Sequence, residues 1–225
     1  MKILIFLLIV FNISSAQIAL PTFHAVHKPH TAGSSCLNCA TGSVIGGGYR
    51  HSAAILENGT VKAWGDNSYG QLGQGNTQDI GDGSNEMGDN LSAVDLGTGR
   101  TATAIAVSYY HAMVILDNGT LKGWGYNGQG QLGQGHTQHI GNGSNEMGDN
   151  LSAVDLGTGR TATAIASGFH HTMVILDNGT VKAWGYNLNG ALGQGHTQNI
   201  GDGSNEMGDN LSHIDLSSGS DATLE

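Results

Sequence analysis

The sequence predicts an all-β fold of tandem four-stranded antiparallel blades. Three observations carry it. The chain repeats itself every sixty residues: Trp64-Gly65, Trp124-Gly125 and Trp184-Gly185 fall in step, as do His51, His111 and His171. Each unit holds short alternating or β-branched runs and no helical periodicity. Glycine reaches 37 of 225 residues without a collagen triplet, which reads as many tight turns. A lone blade cannot bury its two apolar faces, whereas stacked blades can, so three repeats form an open, incomplete propeller.

The elements follow in chain order. Residues 1–16, "MKILIFLLIVFNISSA", have a lysine, an apolar run too short to span a bilayer, and small residues at the end. They read as a signal peptide cleaved after Ala16, which makes the mature chain secreted, periplasmic or extracellular, with no membrane attachment thereafter. Residues 17–40 are a lead-in whose Cys36 and Cys39 form a C-x-x-C, a disulfide candidate in an exported protein. The blade units are 41–100, 101–160 and 161–220, followed by a polar tail at 221–225.

Within the middle unit, "TATAIAVS" alternates as a half-buried strand does, and "HAMVILD" is a β-branched run of strand length. Asn118-Gly119 then signals a hairpin with a type I′ turn, and "TLKGWG" returns from it. A long glycine-rich loop comes next. "LSAVDL" is the expected fourth strand, and "GTGR" turns into the following unit.

Composition excludes some functions. Eight Lys and Arg against eighteen Asp and Glu give a net charge of −10, which argues against nucleic acid as a partner. Gly128-Gln129-Gly130-Gln131-Leu132-Gly133 matches G-x-G-x-x-G, yet no helix-forming stretch follows, and Ser68 and Leu188 replace the first glycine in the sister units. It reads as turn glycines, not a nucleotide loop.

The order His, Asn-Gly-Thr, Lys, Trp-Gly, Asn and Leu-Gly-x-Gly recurs at 51–75, 111–135 and 171–195. This pattern resembles the repeat of the regulator of chromosome condensation family, from about Thr41 to Leu216. The resemblance implies a β-propeller, usually of seven blades, that serves as a protein-interaction platform. The namesake is a nuclear exchange factor for a small GTPase, and a secreted bacterial member of the fold inhibits β-lactamases by binding them. Three units and an export signal depart from the namesake.

Candidate residues follow from the repeat. Trp64, Trp124 and Trp184 are expected to pack between blades. His51, His111 and His171 read as core histidines bonding backbone groups, with zinc held by three converging rings as the sharper alternative. Asp82, Glu86, Asp89, Glu146, Asp149, Asp202, Glu206 and Asp209 lie in acidic glycine-rich inserts, the weak calcium candidates. His24, His27, His30 and the two cysteines have ligand chemistry in no standard zinc spacing. Asn58, Asn118, Asn178, Asn90, Asn150 and Asn210 begin glycosylation sequons.

Positions where near-identical copies differ are the candidate contact face: Arg50, Tyr110 and His170; Asp66, Tyr126 and Tyr186; Tyr69, Gln129 and Asn189; His136 and His196; and His139, which stands for Asp79 and Asn199. No catalytic order stands out, and no cofactor is expected. The function expected is a non-catalytic, exported module that binds a protein through its loops. The alternatives are an extracellular calcium- or zinc-dependent binding protein and, by family analogy, a guanine-nucleotide exchange factor. Uncovered terminal blade faces also predict self-association, as in two chains forming a six-blade ring, or docking on a larger partner.

Overall fold

A computed structural model describes residues 44–216. The proposed signal, the lead-in with His24, His27, His30, Cys36 and Cys39, and the polar tail lie outside the described residues.

Each unit contributes one three-stranded antiparallel sheet. The first comprises β1 (Ile45–Gly47), β2 (His51–Ile55) and β3 (Val61–Gly65). The second comprises β4 (Ala102–Val107), β5 (His111–Leu116) and β6 (Leu121–Gly125), and the third β7 (Ala162–Ser167), β8 (His171–Leu176) and β9 (Val181–Gly185). The sheets succeed one another along an open arc, with β4 touching both β1 and β7.

The expected fourth strand does not form. "LSAVDL" makes one backbone bond to each blade, from the amides of Val94, Val154 and Ile214 to the carbonyls of Val61, Leu121 and Val181. The other end of the same strand edge is taken by Ile80, Ile140 and Ile200, which pair singly with Gly65, Gly125 and Gly185. The insert leaves the blade between these two pairings, so the edge is covered twice but never continuously. Within that insert the chain makes a single 3₁₀ turn, at Gly88–Asn90, Gly148–Asn150 and Gly208–Asn210.

The hairpin also differs from the type I′ expectation. Ile55 pairs with Val61, and the Gly59 amide bonds the Leu56 carbonyl. The loop is therefore Glu57-Asn58-Gly59, in which only Gly59 is left-handed, at φ 78°. The extra acidic residue turns the connection into a three-residue loop closed by a bulge glycine. The Asn58 side chain accepts from the Thr60 amide, as Asn118 does from Thr120 and Asn178 from Thr180.

The core lies between blades. One cluster joins Ala53, Val61 and Leu72 of the first unit to Val114, Leu116 and Trp124 of the second. The other joins Met113, Ile115 and Leu132 to Val174, Leu176 and Trp184. Trp124 and Trp184 are fully buried and reach back across these interfaces to donate from Nε1 to the carbonyls of Gln71 and Gln131, at 3.1 and 3.0 Å. Lys122 and Lys182, legible only as strand residues in the sequence, act as further staples. Each Nζ donates to a carbonyl of the preceding unit, Leu96 or Leu156, and to one of its own, Gly148 or Gly208.

Candidate interaction face

Antiparallel pairing decides where the site forms. His51 stands opposite Gly65, His111 opposite Gly125 and His171 opposite Gly185. The turn entering the second strand and the loop leaving the third therefore meet at one rim of every blade. The Asn-Gly hairpins occupy the opposite rim.

The glycine-rich loop at this rim is pinned from within. Asn67, Asn127 and Asn187 are fully buried. Each accepts through Oδ1 from the amide of Leu72, Leu132 or Leu192, at 2.9 Å. Each also donates through Nδ2 to the carbonyl of Asn76, His136 or His196. Gly130, inside the apparent dinucleotide fingerprint, has φ 75°, and a Cβ there would sit 2.4 Å from the Asp202 amide of the next blade. The fingerprint is thus an interblade turn, and the loop shows its outer side chains from a fixed backbone.

Together with the aromatic residues of the turns entering each second strand, those side chains form a continuous ring surface. An inner row runs Tyr49, Tyr109, Phe169, with centroids 4.4 Å and 3.7 Å apart. An outer row runs Tyr110, Tyr69, Tyr126, His170, Tyr186, at 5.0, 5.1, 5.4 and 6.4 Å. Tyr109–Tyr110 at 4.3 Å and Phe169–His170 at 4.4 Å tie the rows together. His139 leans on Tyr126 at 4.8 Å, and the Arg50 guanidinium lies 5.1 Å over the Tyr49 ring. Tyr49 and Phe169 are 54% and 55% exposed, so the rows are available to a partner. Along the inner row a shallow cleft of about 290 Å³ is floored by Gly48, Ser108 and Gly168.

Of the residues that differ between copies, the structure brings Arg50, Tyr69, Tyr110, Tyr126, His170 and Tyr186 together, with His139 beside them. Gln129 sits within the same loops and accepts from Asn199 Nδ2 at 2.9 Å. Asp66 caps its own loop, accepting from the Ser68 amide and hydroxyl. His136 and His196 stand apart, each accepting through Nδ1 from the amide two residues on. Asn189 is exposed at the end of the row. Tyr49, Tyr109 and Phe169 were not distinguished by copy differences, because this position is aromatic in every unit. An invariant aromatic beside an exposed turn was the available signal.

Electrostatics keep the rim's imidazoles neutral near pH 7. Burial holds both His139 and His170 below the ordinary histidine range, and neighbouring His171 adds to the effect at His170. His139 Nδ1 also accepts from the Asn127 amide, a bond that needs the unprotonated nitrogen.

The repeat histidines beneath the rim differ from the expectation of backbone partners. His111 is fully buried, and its Nε2 lies 3.3 Å from the Thr172 hydroxyl. His51 is buried with neither ring nitrogen paired, and His171 is partly exposed. Desolvation lowers His51 to about 4 and His111 to about 3. Among the described residues no three His, Cys, Asp or Glu side chains gather as a metal set.

The acidic insert residues hold loops. Glu86, Glu146 and Glu206 each accept two glycine amides of their own insert. Asp149 and Asp209 accept from the amide and hydroxyl of Thr98 and Thr158 in the preceding blade. Asp89 is exposed, as is Asp82, while Asp202 is half-buried beside Glu206, with burial and then that neighbour raising its pKa.

Comparison with known proteins gives the class. The model of the regulator of chromosome condensation (RCC1) repeat matches residues 44–71, 102–131 and 162–191. The chain therefore carries three copies of this repeat, one in each blade. It is 27% identical over 157 residues to the ultraviolet-B receptor UVR8 of Arabidopsis thaliana, covering 69% of this chain and 32% of that protein. It is 31% identical over 148 residues to the secretion-regulating guanine nucleotide exchange factor of Bos taurus, covering 64% of this chain and 28% of that one. The chain thus spans about a third or less of these relatives. Among solved structures, Prp20p of Saccharomyces cerevisiae superposes with TM-score 0.53 at 19% identity, over 76% of this chain and 37% of that one. Human WBSCR16 gives 0.54 at 19%, with the same coverage. These two likenesses concern the fold.

Proposed function

We propose that the chain is an exported, non-catalytic interaction module that binds a protein partner through the aromatic rim. One observation carries this reading: nine rings from three successive blades touch in an unbroken band at one rim. Rigid rings on a pinned backbone lose little entropy on binding, and tyrosine joins apolar area to a hydroxyl that hydrogen-bonds. Copies that are otherwise near-identical diverge along the outer row of that band, while their loop asparagines and their tryptophans do not. Related chains supply context. The Prp20p structure is described with its binding to Gsp1p and histones.

The test is capture of a partner from the extracellular fraction by the wild-type chain and by a Tyr49→Ala, Tyr110→Ala, Tyr126→Ala variant of unchanged circular dichroism. The reading expects the captured protein to be lost with the rings. Equal capture by both chains would overturn it. A second reading, guanine-nucleotide exchange, is supported by the named activity of the bovine relative. Accelerated nucleotide release from a small GTPase would favour it over simple binding.

A further inference from the structure

The two outer faces of the arc carry opposite halves of a joint that the molecule already makes twice. At each internal joint the earlier blade offers a buried Gly-Gln-Leu-Gly loop, Gly70–Gly73 or Gly130–Gly133. The later blade lays its tryptophan beneath that loop and donates to the glutamine carbonyl at 3.1 or 3.0 Å. It also presses its insert methionine against the loop: the methyl of Met147 or Met207 lies 3.0 or 2.9 Å from a Cβ built on Gly73 or Gly133. An aspartate, Asp149 or Asp209, completes the contact by accepting from a threonine of the earlier blade.

The first blade holds the later blade's half without its complement. Trp64 is only half-buried, and its indole N–H has no partner among the described residues. Met87 is 42% exposed, where Met207 is 8% exposed. Beside Trp64 opens a groove of about 400 Å³ lined also by Ile80 and Gly81. The third blade holds the other half. Its loop residues Gly190, Ala191 and Gly193 are exposed, where their counterparts in both other units are buried. Ile175 is 43% exposed, where its counterpart Ile115 is 4% exposed.

We propose that a second copy of this chain fills both faces, its third-blade loop covering Trp64 and Met87 and its first blade covering Ala191 and Ile175. The joint is head-to-tail, so it generates a closed ring or a growing filament. Propellers close with about four to eight blades, and the three described blades of one copy joined to the three of a second make six, within that range. The aromatic inner row then continues from Phe169 of one copy to Tyr49 of the next. This inference rests on the internal joints and not on the identity of the rim's partner.

The experiment uses the full chain with Met87→Arg, which blocks the first-blade face, and Ala191→Arg, which blocks the third-blade face. Both positions are exposed within the chain, so circular dichroism and Tm should match wild type. Native mass spectrometry and light scattering should show a two-copy species for wild type and single copies for each variant alone. Mixing the variants should restore a species with one copy of each, because the intact halves lie on different chains. That pair has one joint in place of two, and its affinity should fall by about tenfold or more. A wild-type chain that stays single overturns the proposal. So does a wild-type pair that survives either substitution, or a mixture that forms no pair.

Discussion

Ala112→Thr should stabilise the protein, although it adds atoms to a fully buried site. The expectation comes from comparing the two internal joints. In the second, the Thr172 hydroxyl donates to the Gln131 carbonyl at 2.9 Å and lies 3.3 Å from His111 Nε2. Its one proton is used on the carbonyl, so the oxygen accepts and Nε2 carries the imidazole proton. In the first joint the same position is Ala112, and His51 has two buried nitrogens without partners. A buried donor left unpaired costs about 1–3 kcal/mol. A threonine at 112 would face Gln71, His51 and Trp124 as Thr172 faces Gln131, His111 and Trp184. Overpacking opposes the gain by up to about 1–3 kcal/mol where a pocket must be forced open. Here the second joint shows that the same neighbours accommodate the side chain, so the net gain should be about 1 kcal/mol, and the β-branched residue suits a strand.

Urea unfolding with an unchanged slope measures that gain, which for a unit of this size is about 2–4 °C in Tm. Thr172→Ala is the reverse graft and should cost about 2 kcal/mol by leaving His111 as His51 now is. Nitrogen chemical shifts should place the His51 proton on Nε2 in Ala112→Thr. A destabilised Ala112→Thr together with a neutral Thr172→Ala would refute the claim that the hydroxyl matters at this joint.

Further outcomes follow from the same interfaces. His51 and His111 titrate lower in the folded chain, about 4 and 3, than the 6.5 of the free side chain, so the unfolded chain binds more protons. Stability should therefore be full above pH 6.5 and fall on acidification, by about 2 kcal/mol per histidine between pH 7 and 5, as read from unfolding curves. Trp124→Ala should cost about 3–5 kcal/mol by opening the first joint, and Trp64→Ala clearly less, because Trp64 is already half-exposed. Lys122→Met should cost about 2–3 kcal/mol in chemical unfolding, since it leaves two buried carbonyls without their charged donor.

Much of the blade was legible because local signals and tertiary demands agree there. The β-branched runs at 102–107 and 111–116 alternate or bury as strands must, and sixty-residue spacing fixes their repetition. The fourth strand failed for a reason that the local pattern does not contain. "LSAVDL" alternates well enough, but the edge it would pair with is already met at its far end by Ile140, and the insert must leave between. The hairpin failed more narrowly. Asn118-Gly119 marked the turn, while the pairing of Ile115 with Leu121 shows that Asp117 joins the loop. The interblade bonds of Lys122 and Trp124 were invisible for another reason. Each joins residues far apart in sequence, and no spacing rule within one unit points to a carbonyl in another.

The positions where copies disagree divide into two kinds once their partners are known, and the division bears on function. Asp79, His139 and Asn199 differ in identity, charge and shape, yet each accepts a hydrogen bond from the amide of the buried loop asparagine. Substitution there is confined to acceptors, and the loop keeps its shape in all three blades. The side chains of Arg50, Tyr110 and His170 make no such shared bond, although their carbonyls all accept from the amide of Asp66, Tyr126 or Tyr186. They occupy the same corner of the pinned frame and turn different chemistry outward: a cation, a phenol and an imidazole held neutral by its surroundings. Variation restricted by the scaffold at one position and released at its neighbour is what a binding surface on a repeated frame requires. The loop needs an acceptor at one position and not at the other, so an Asp79→Leu variant should disorder the first loop where Arg50→Leu leaves it intact, a contrast that amide exchange at Asn67 would register.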